Sequence, residues 1–173
     1  ETVSPPSRST VHRLRDLLLS AQPDIARRLY SDGFVQCLKE LINKHEFDLI
    51  QFEGIEVACY LPIVRQLSKR AKLCYNAFNA EAALQQVIFE VDREDIQRWP
   101  TAAYSFVQSG RIAHFERELC QQADLVLAVS GEDAAILKQY RPDSSVSVVA
   151  NGVFADEYGK PGEALDLGPA ALV

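Results

Sequence analysis

The stretch from Ala123 to Val153, ADLVLAVSGEDAAILKQYRPDSSVSVVANGV, constrains the fold more than any other part of the chain. Leu125 to Val129 is an apolar run of strand length, and Ser130 stands at its carboxyl end where a helix N-cap belongs. Asp133 follows three residues later, so its carboxylate can meet the unpaired amides of a first helical turn. Val146 to Ala150 is a second short apolar run, stopped by Asn151-Gly152. Two buried runs separated by a helix of about ten residues form a crossover between parallel strands, because antiparallel neighbours need no such length. In open sheets of this kind, sites lie beyond the carboxyl ends of the strands. Ser130, Gly131, Asn151 and Gly152 are therefore candidate site residues.

The same alternation extends backwards. Phe47 to Glu53 is the first strand, closed by Glu53-Gly54, and a helix follows from about Ile55 to Lys69 with a bend near Pro62. Leu73 to Tyr75 lies in a second strand that opens into Asn76-Ala77-Phe78-Asn79, and Ala80 to Ala123 is helical with a break near Trp99-Pro100. Before the first strand, Val11, Leu14, Leu17 and Leu18 recur at helical spacing over 11–20. Ile25, Leu29, Leu38, Leu41 and Ile42 carry a second stripe to about His45, with Gly33 as its expected interruption. Four strands with intervening helices predict an α/β fold with an open parallel sheet. Right-handed crossovers would add each strand to the same side, so the first strands of a full doubly wound domain would be lacking. The division expected is a helical lead-in over 1–46, a core over 47–154, and a linker with the truncated start of a second domain over 155–173.

Composition excludes several classes. Eighteen basic against twenty-four acidic residues leave a net charge of −6, which argues against nucleic acid as a partner. The four cysteines form no CxxC pair and read as buried reduced thiols, hence a cytoplasmic chain. No apolar run reaches the ~20 residues that span a bilayer, so no transmembrane segment is expected. His12, His45 and His114 are scattered, which leaves no metal site, and neither a GxGxxG nor a GxxxxGK[ST] phosphate cradle is present. Arg65, Lys69, Arg70 and Lys72 read as a solvated helix end, with weak peripheral contact to anionic lipid or sugar phosphate as the functional counterpart. The lack of methionine and the ending Gly168 to Val173 suggest a piece of a longer protein. A sheet edge left open in this way would call for an oligomer or a missing segment to cover it.

The loop clusters carry both plain and functional readings. Ser130 is a helix cap or a ligand contact, and Asn151-Gly152 is a turn needing positive φ or a site element. Asn79 and Glu81 form a helix cap with a first-turn acid, or they contact a ligand. Gly54 permits a tight strand-to-helix turn, whereas Glu53, closing an apolar strand, faces water or a ligand hydroxyl.

Taken in order, these motifs resemble the amino-terminal half of a family 4 (group 1) glycosyltransferase of the GT-B type. FDLIQFE over 47–53 is similar to the family's FDLIxxE strand, and Asn79-Ala80-Glu81 to its HN-x-E segment. Glu116 with Ala123-Asp124-Leu125-Val126 and Val129-Ser130 resembles its YE…ADLVxxVS element, and Val148 to Val153 resembles VxPNGV. The resemblance implies a Rossmann-like acceptor domain that cooperates with a second, donor-binding domain. It implies transfer from a nucleotide-sugar to a sugar or lipid-linked acceptor with retention, using no metal and no cofactor. Glu53, Gly54, Asn76, Phe78, Asn79 and Glu81 would then bind acceptor. Ser130, Gly131, Asn151 and Gly152 would lie on the donor or interdomain side, and the catalytic residues are not identified. Phe78 replaces the family's usual His, so that position can stack on a sugar but cannot donate a hydrogen bond. The family's paired glutamates belong to the second domain, so the 173 residues alone would be inactive. The competing class is a non-enzymatic Rossmann-like binding or oligomerisation module; periplasmic-binding and epimerase folds share the alternation.

Overall fold

The computed structural model describes residues 20–152 together with Ser9, Arg15 and Asp16. Most of the helix expected over 11–20, and all of 155–173, lie outside the described residues. The described chain runs α1 (Asp24–Arg27), α2 (Asp32–Lys44), β1 (Leu49–Glu53), α3 (Ile55–Ala58), α4 (Leu61–Leu67) and β2 (Lys72–Ala77). It continues with α5 (Glu81–Glu94), a short 3-10 turn (Ile96–Arg98), α6 (Trp99–Gln122), β3 (Leu125–Ala128), α7 (Gly131–Lys138) and β4 (Ser147–Val148). The four strands form one sheet in the order β1-β2-β3-β4, and every pair is parallel.

The helix breaks follow local chemistry. The stripe before β1 divides at 28–31 and not at Gly33, which sits in the first turn of α2. The buried Tyr60 explains the division: its hydroxyl donates to Leu29 O at 2.7 Å and accepts from Ser31 N at 2.8 Å, satisfying backbone groups that a continuous helix would have used. Pro62 begins α4 as a first-turn residue, where its missing N–H costs nothing, and Pro100 does the same for α6.

Register decides which face is buried. Phe52 pairs with Tyr75 and Tyr75 with Val126, so these residues share a face with Leu73, Ala77 and Ala128. That set packs against Leu61 and Val64 of α4, Ile112, Phe115 and Leu119 of α6, and Leu137 of α7 in one core cluster. The alternate residues Leu49, Gln51, Glu53, Cys74, Asn76 and Leu125 are absent from the cluster, and Leu49 and Leu125 are about half exposed (47% and 48%). Sequential right-handed crossovers put their helices on a single side, and the one-sided core follows from that order. All-parallel sheets ordinarily have both faces covered, whereas among the described residues the second face is wet along β1 and at Leu125, with Cys74 buried at its centre.

At the amino ends of the strands, Asp124 joins α6 to β3. Its carboxylate accepts from Leu73 N at 2.8 Å and pairs with Arg65 at 2.7 Å and Lys72 at 3.4 Å. Burial acts to raise its pKa, but the Leu73 amide and the two cations outweigh it and hold the carboxyl below its ordinary value. Arg70 pairs with Glu46 and Asp48. The basic stretch is solvated, as expected, with Lys69, Arg70 and Lys72 exposed, and three of its cations also have carboxylate partners.

No disulfide joins any of the four cysteines, of which Cys74 and Cys120 are buried and Cys37 and Cys59 half-buried. Burial pushes Cys59 and Cys120 up to about 12, so both remain protonated.

Candidate functional site

The carboxyl ends of β1 and β2 meet at Gly54. Its φ of 82° lies in the region that favours glycine, and its N–H donates to Asn76 O at 2.9 Å. A Cβ placed there would come within 3.1 Å of both the Phe78 ring and the Glu56 carboxylate. Gly54 thus does more than permit a turn, because it lets Phe78 lie against the backbone. On the wet face beside it, Glu53 accepts from Gln51 Nε2 at 2.5 Å and from Asn76 Nδ2 at 2.8 Å. A carboxylate has about four lone-pair directions, so Glu53 retains acceptor capacity toward a hydroxyl while its position is fixed.

The helical side of the rim is built differently. Phe78 is 48% exposed beside Glu56, which pairs with Arg28 at 2.6 Å. Glu81 is half-buried; burial raises its pKa, the Gln85 hydrogen bond opposes this, and Glu56 and Arg28 add smaller effects of opposite sign. Beneath them Glu116 is fully buried and accepts from Glu81 N at 2.8 Å and Ala82 N at 3.3 Å. Burial drives its pKa up to about 7 despite those two amides, with the charges of Glu81 and Asp133 adding to the rise. The neighbouring Tyr75 hydroxyl is buried without a hydrogen-bond partner among the described residues.

Ser130 caps α7. Its Oγ accepts from Asp133 N at 3.1 Å and donates to Asp133 Oδ2 at 2.5 Å. The other Asp133 oxygen does not serve the first turn of its own helix, as the spacing suggested. It accepts from Ala80 N at 2.8 Å in the β2–α5 connection. Asn79 is exposed and is not the cap of α5: that position is Ala80, which has no side chain to offer, and Glu116 takes the orphan amides. Asn151 and Gly152 are exposed just past β4, and neither has positive φ, so the turn expected there does not form. A Cβ at Gly131 or Gly152 would meet nothing within 4 Å, so neither position requires glycine for space.

The candidate residues thus share the carboxyl-end rim but divide between its two sides. Glu53 and Asn76 are bonded to each other on the wet face, and Phe78 and Glu81 belong to the helical side. The residues that fix the β2–α5 connection, Glu116 and Asp133, were not candidates. Glu116 carried a usable signal, an acid inside the stripe Ile112, Phe115, Leu119 and Cys120. Asp133 carried none that pointed to Ala80. Among the described residues no group of three His, Cys, Asp or Glu side chains clusters to hold a metal ion. No described helix is long and apolar enough to cross a membrane.

Comparison with curated proteins finds no match. Comparison with family models does: the model described as Glycosyltransferase Family 4 matches residues 2–157, covering the whole described sheet and its rim. With its parallel sheet and polar carboxyl-end rim, the chain belongs to glycosyltransferase family 4 as an amino-terminal domain of the GT-B type.

Proposed function

We propose that this chain forms the acceptor side of a retaining glycosyltransferase that moves a sugar from a nucleotide-sugar donor to a hydroxyl acceptor. The observation that carries the reading is the Gly54 corner. Gly54 seats the exposed ring of Phe78 against the backbone at the end of two parallel strands, and Glu53, the residue before it, presents a fixed carboxylate on the other side of the same rim. Sugars are recognised by this combination, with carboxylates accepting from hydroxyls and a ring covering the apolar sugar face. Glu53 orients an acceptor hydroxyl, Phe78 stacks on the ring, and Asn79 and Glu81 border the same opening. Ser130 acts through Asp133 on the Ala80 loop, as a positioning residue. Asn151 and Gly152 stand on the donor or interdomain side. The donor's nucleotide would be held by a second domain, and the 173 residues alone would not turn over.

The test is a transfer assay on the gene's complete product with a panel of nucleotide-sugars, followed by Glu53→Gln and Phe78→Ala. Both variants should raise the acceptor KM about tenfold or more while donor affinity stays level. Unchanged acceptor KM in both would refute the assignment. One observation favours the binding-module reading instead: the half-exposed Leu49 and Leu125 on the wet face. A stable dimer in sedimentation that Leu125→Glu dissolves, with no transfer by the complete product, would establish it.

A further inference from the structure

We propose that Glu116 is a positioning residue for the acceptor site: from inside the fold it holds the start of α5 and so sets where Glu81 stands on the rim. The inference deepens the acceptor reading above and rests on it. Glu116 is fully buried and shares the inner face of α6 with Ile112, Phe115, Leu119 and Cys120. Its carboxylate nevertheless serves another helix, accepting from Glu81 N at 2.8 Å and Ala82 N at 3.3 Å, the first two amides of α5. The amide just before them, Ala80 N, donates to Asp133 of α7 at 2.8 Å. Three successive amides therefore end on carboxylates from two other elements, and Glu81 is the middle residue of the three.

This arrangement is not what helix stability alone would select. A helix start needs acceptors for its first amides, and a Ser, Thr, Asp or Asn at the cap position supplies one locally without burying a charge. Here that position is Ala80, which makes no side-chain cap bond. The acceptor comes from the core instead, at the expense of taking a carboxyl out of water, and burial drives the Glu116 pKa up to about 7. A local cap would bind the start of α5 only to itself. A cap from α6 binds it to a fixed place, because Ile112, Phe115 and Leu119 belong to the core cluster that packs on the sheet. Glu81 needs such a place: its side chain is half-buried and feels the charges of Glu56 and Arg28, so its setting depends on where the helix begins. A displacement of about 1 Å is enough to spoil an oriented contact at a site.

Ala80→Ser separates position from capping. Glu116→Leu leaves two amides without their acceptor and should lower the unfolding temperature. Adding Ala80→Ser returns a cap from the connection itself, so the double variant should recover much of that loss. Its acceptor KM should nonetheless stay raised about tenfold or more while the donor KM stays level. The assay uses the gene's complete product, with methyl glucoside, mannoside and galactoside offered as acceptors against the nucleotide-sugar panel. A second readout needs no acceptor. Glu81 owes its raised pKa first to burial, so in the double variant its carboxyl should titrate lower, toward the ordinary 4.5, in carbon-13 spectra assigned through Glu81→Gln. Glu116→Gln keeps an oxygen for Glu81 N and should restore both readouts. Glu116→Asp keeps the charge on a side chain one methylene shorter, and is read by the same two measurements if the double variant does not fold. A wild-type acceptor KM, or an unmoved Glu81 titration, in the stabilised double variant overturns the inference and leaves Glu116 a helix cap. Level acceptor KM in Glu53→Gln and Phe78→Ala overturns the acceptor reading itself, and with it the function, though not the seat of Glu81, assigned to Glu116.

Discussion

Glu116→Gln should change how stability depends on pH, and the size of the change follows from the burial of that carboxyl. The group moves from an ordinary value of 4.5 to about 7 on folding, chiefly through burial. At ~1.36 kcal/mol per unit, that shift corresponds to about 3 kcal/mol. The sign comes from proton counting. Between about pH 4.5 and pH 7 the folded chain holds a proton that the unfolded chain has released, so stability falls as pH rises through this window. Above about pH 7 both states are ionised and the contribution is flat. Between pH 5 and pH 8 the wild type should lose about 2–3 kcal/mol through this one group. Glutamine keeps an oxygen to accept from Glu81 N but cannot ionise, so the variant should lack that slope. Urea titrations of both proteins at pH steps from 5 to 8, compared as differences, remove the groups common to both. Parallel curves would show that Glu116 ionises in the fold at little cost. The buried-carboxyl account of the α5 terminus would then be wrong.

Gly54→Ala should cost about 1–3 kcal/mol in thermal unfolding, because φ of 82° is unfavourable for alanine and its Cβ presses on the Phe78 ring. An unchanged midpoint would mean that the corner relaxes freely. Ser130→Ala should cost about 1 kcal/mol by removing the α7 cap, and Asp133→Ala about 1–3 kcal/mol by leaving the Ala80 N–H without its acceptor. The double variant should cost less than the sum, and strict additivity in a denaturation cycle would contradict a shared network. Asp124→Asn should flatten the acid limb of the stability curve. Its depressed pKa makes a contribution that is present above 3.8 and lost as pH falls below it. An unaltered acid limb would show that Arg65 and Lys72 do not hold the charge.

Much of the fold was legible because it is written in local periodicity. The four apolar runs, the break at Trp99-Pro100 and the Ser130 cap are readable within windows of a few residues, and the structure has each of them. Boundaries set by distant partners were not readable. The division at 28–31 depends on a tyrosine thirty residues later, and the bonds of Asp133 to Ala80 and of Glu116 to Glu81 span 53 and 35 residues. The rim itself followed from parallel topology, but its division into two sides needed strand register. Glu53 and Asn76 share a face only because they are paired across β1 and β2. Asn151-Gly152 looked like a turn by composition, yet composition permits positive φ without requiring it.

The double anchorage of the β2–α5 connection has a mechanical consequence. One carboxylate gripping it is carried by α6 and the other by α7, so the segment behaves as a yoke slung between two levers. A tilt of either lever would pull first on Ala80 or Glu81, two and three residues past Phe78.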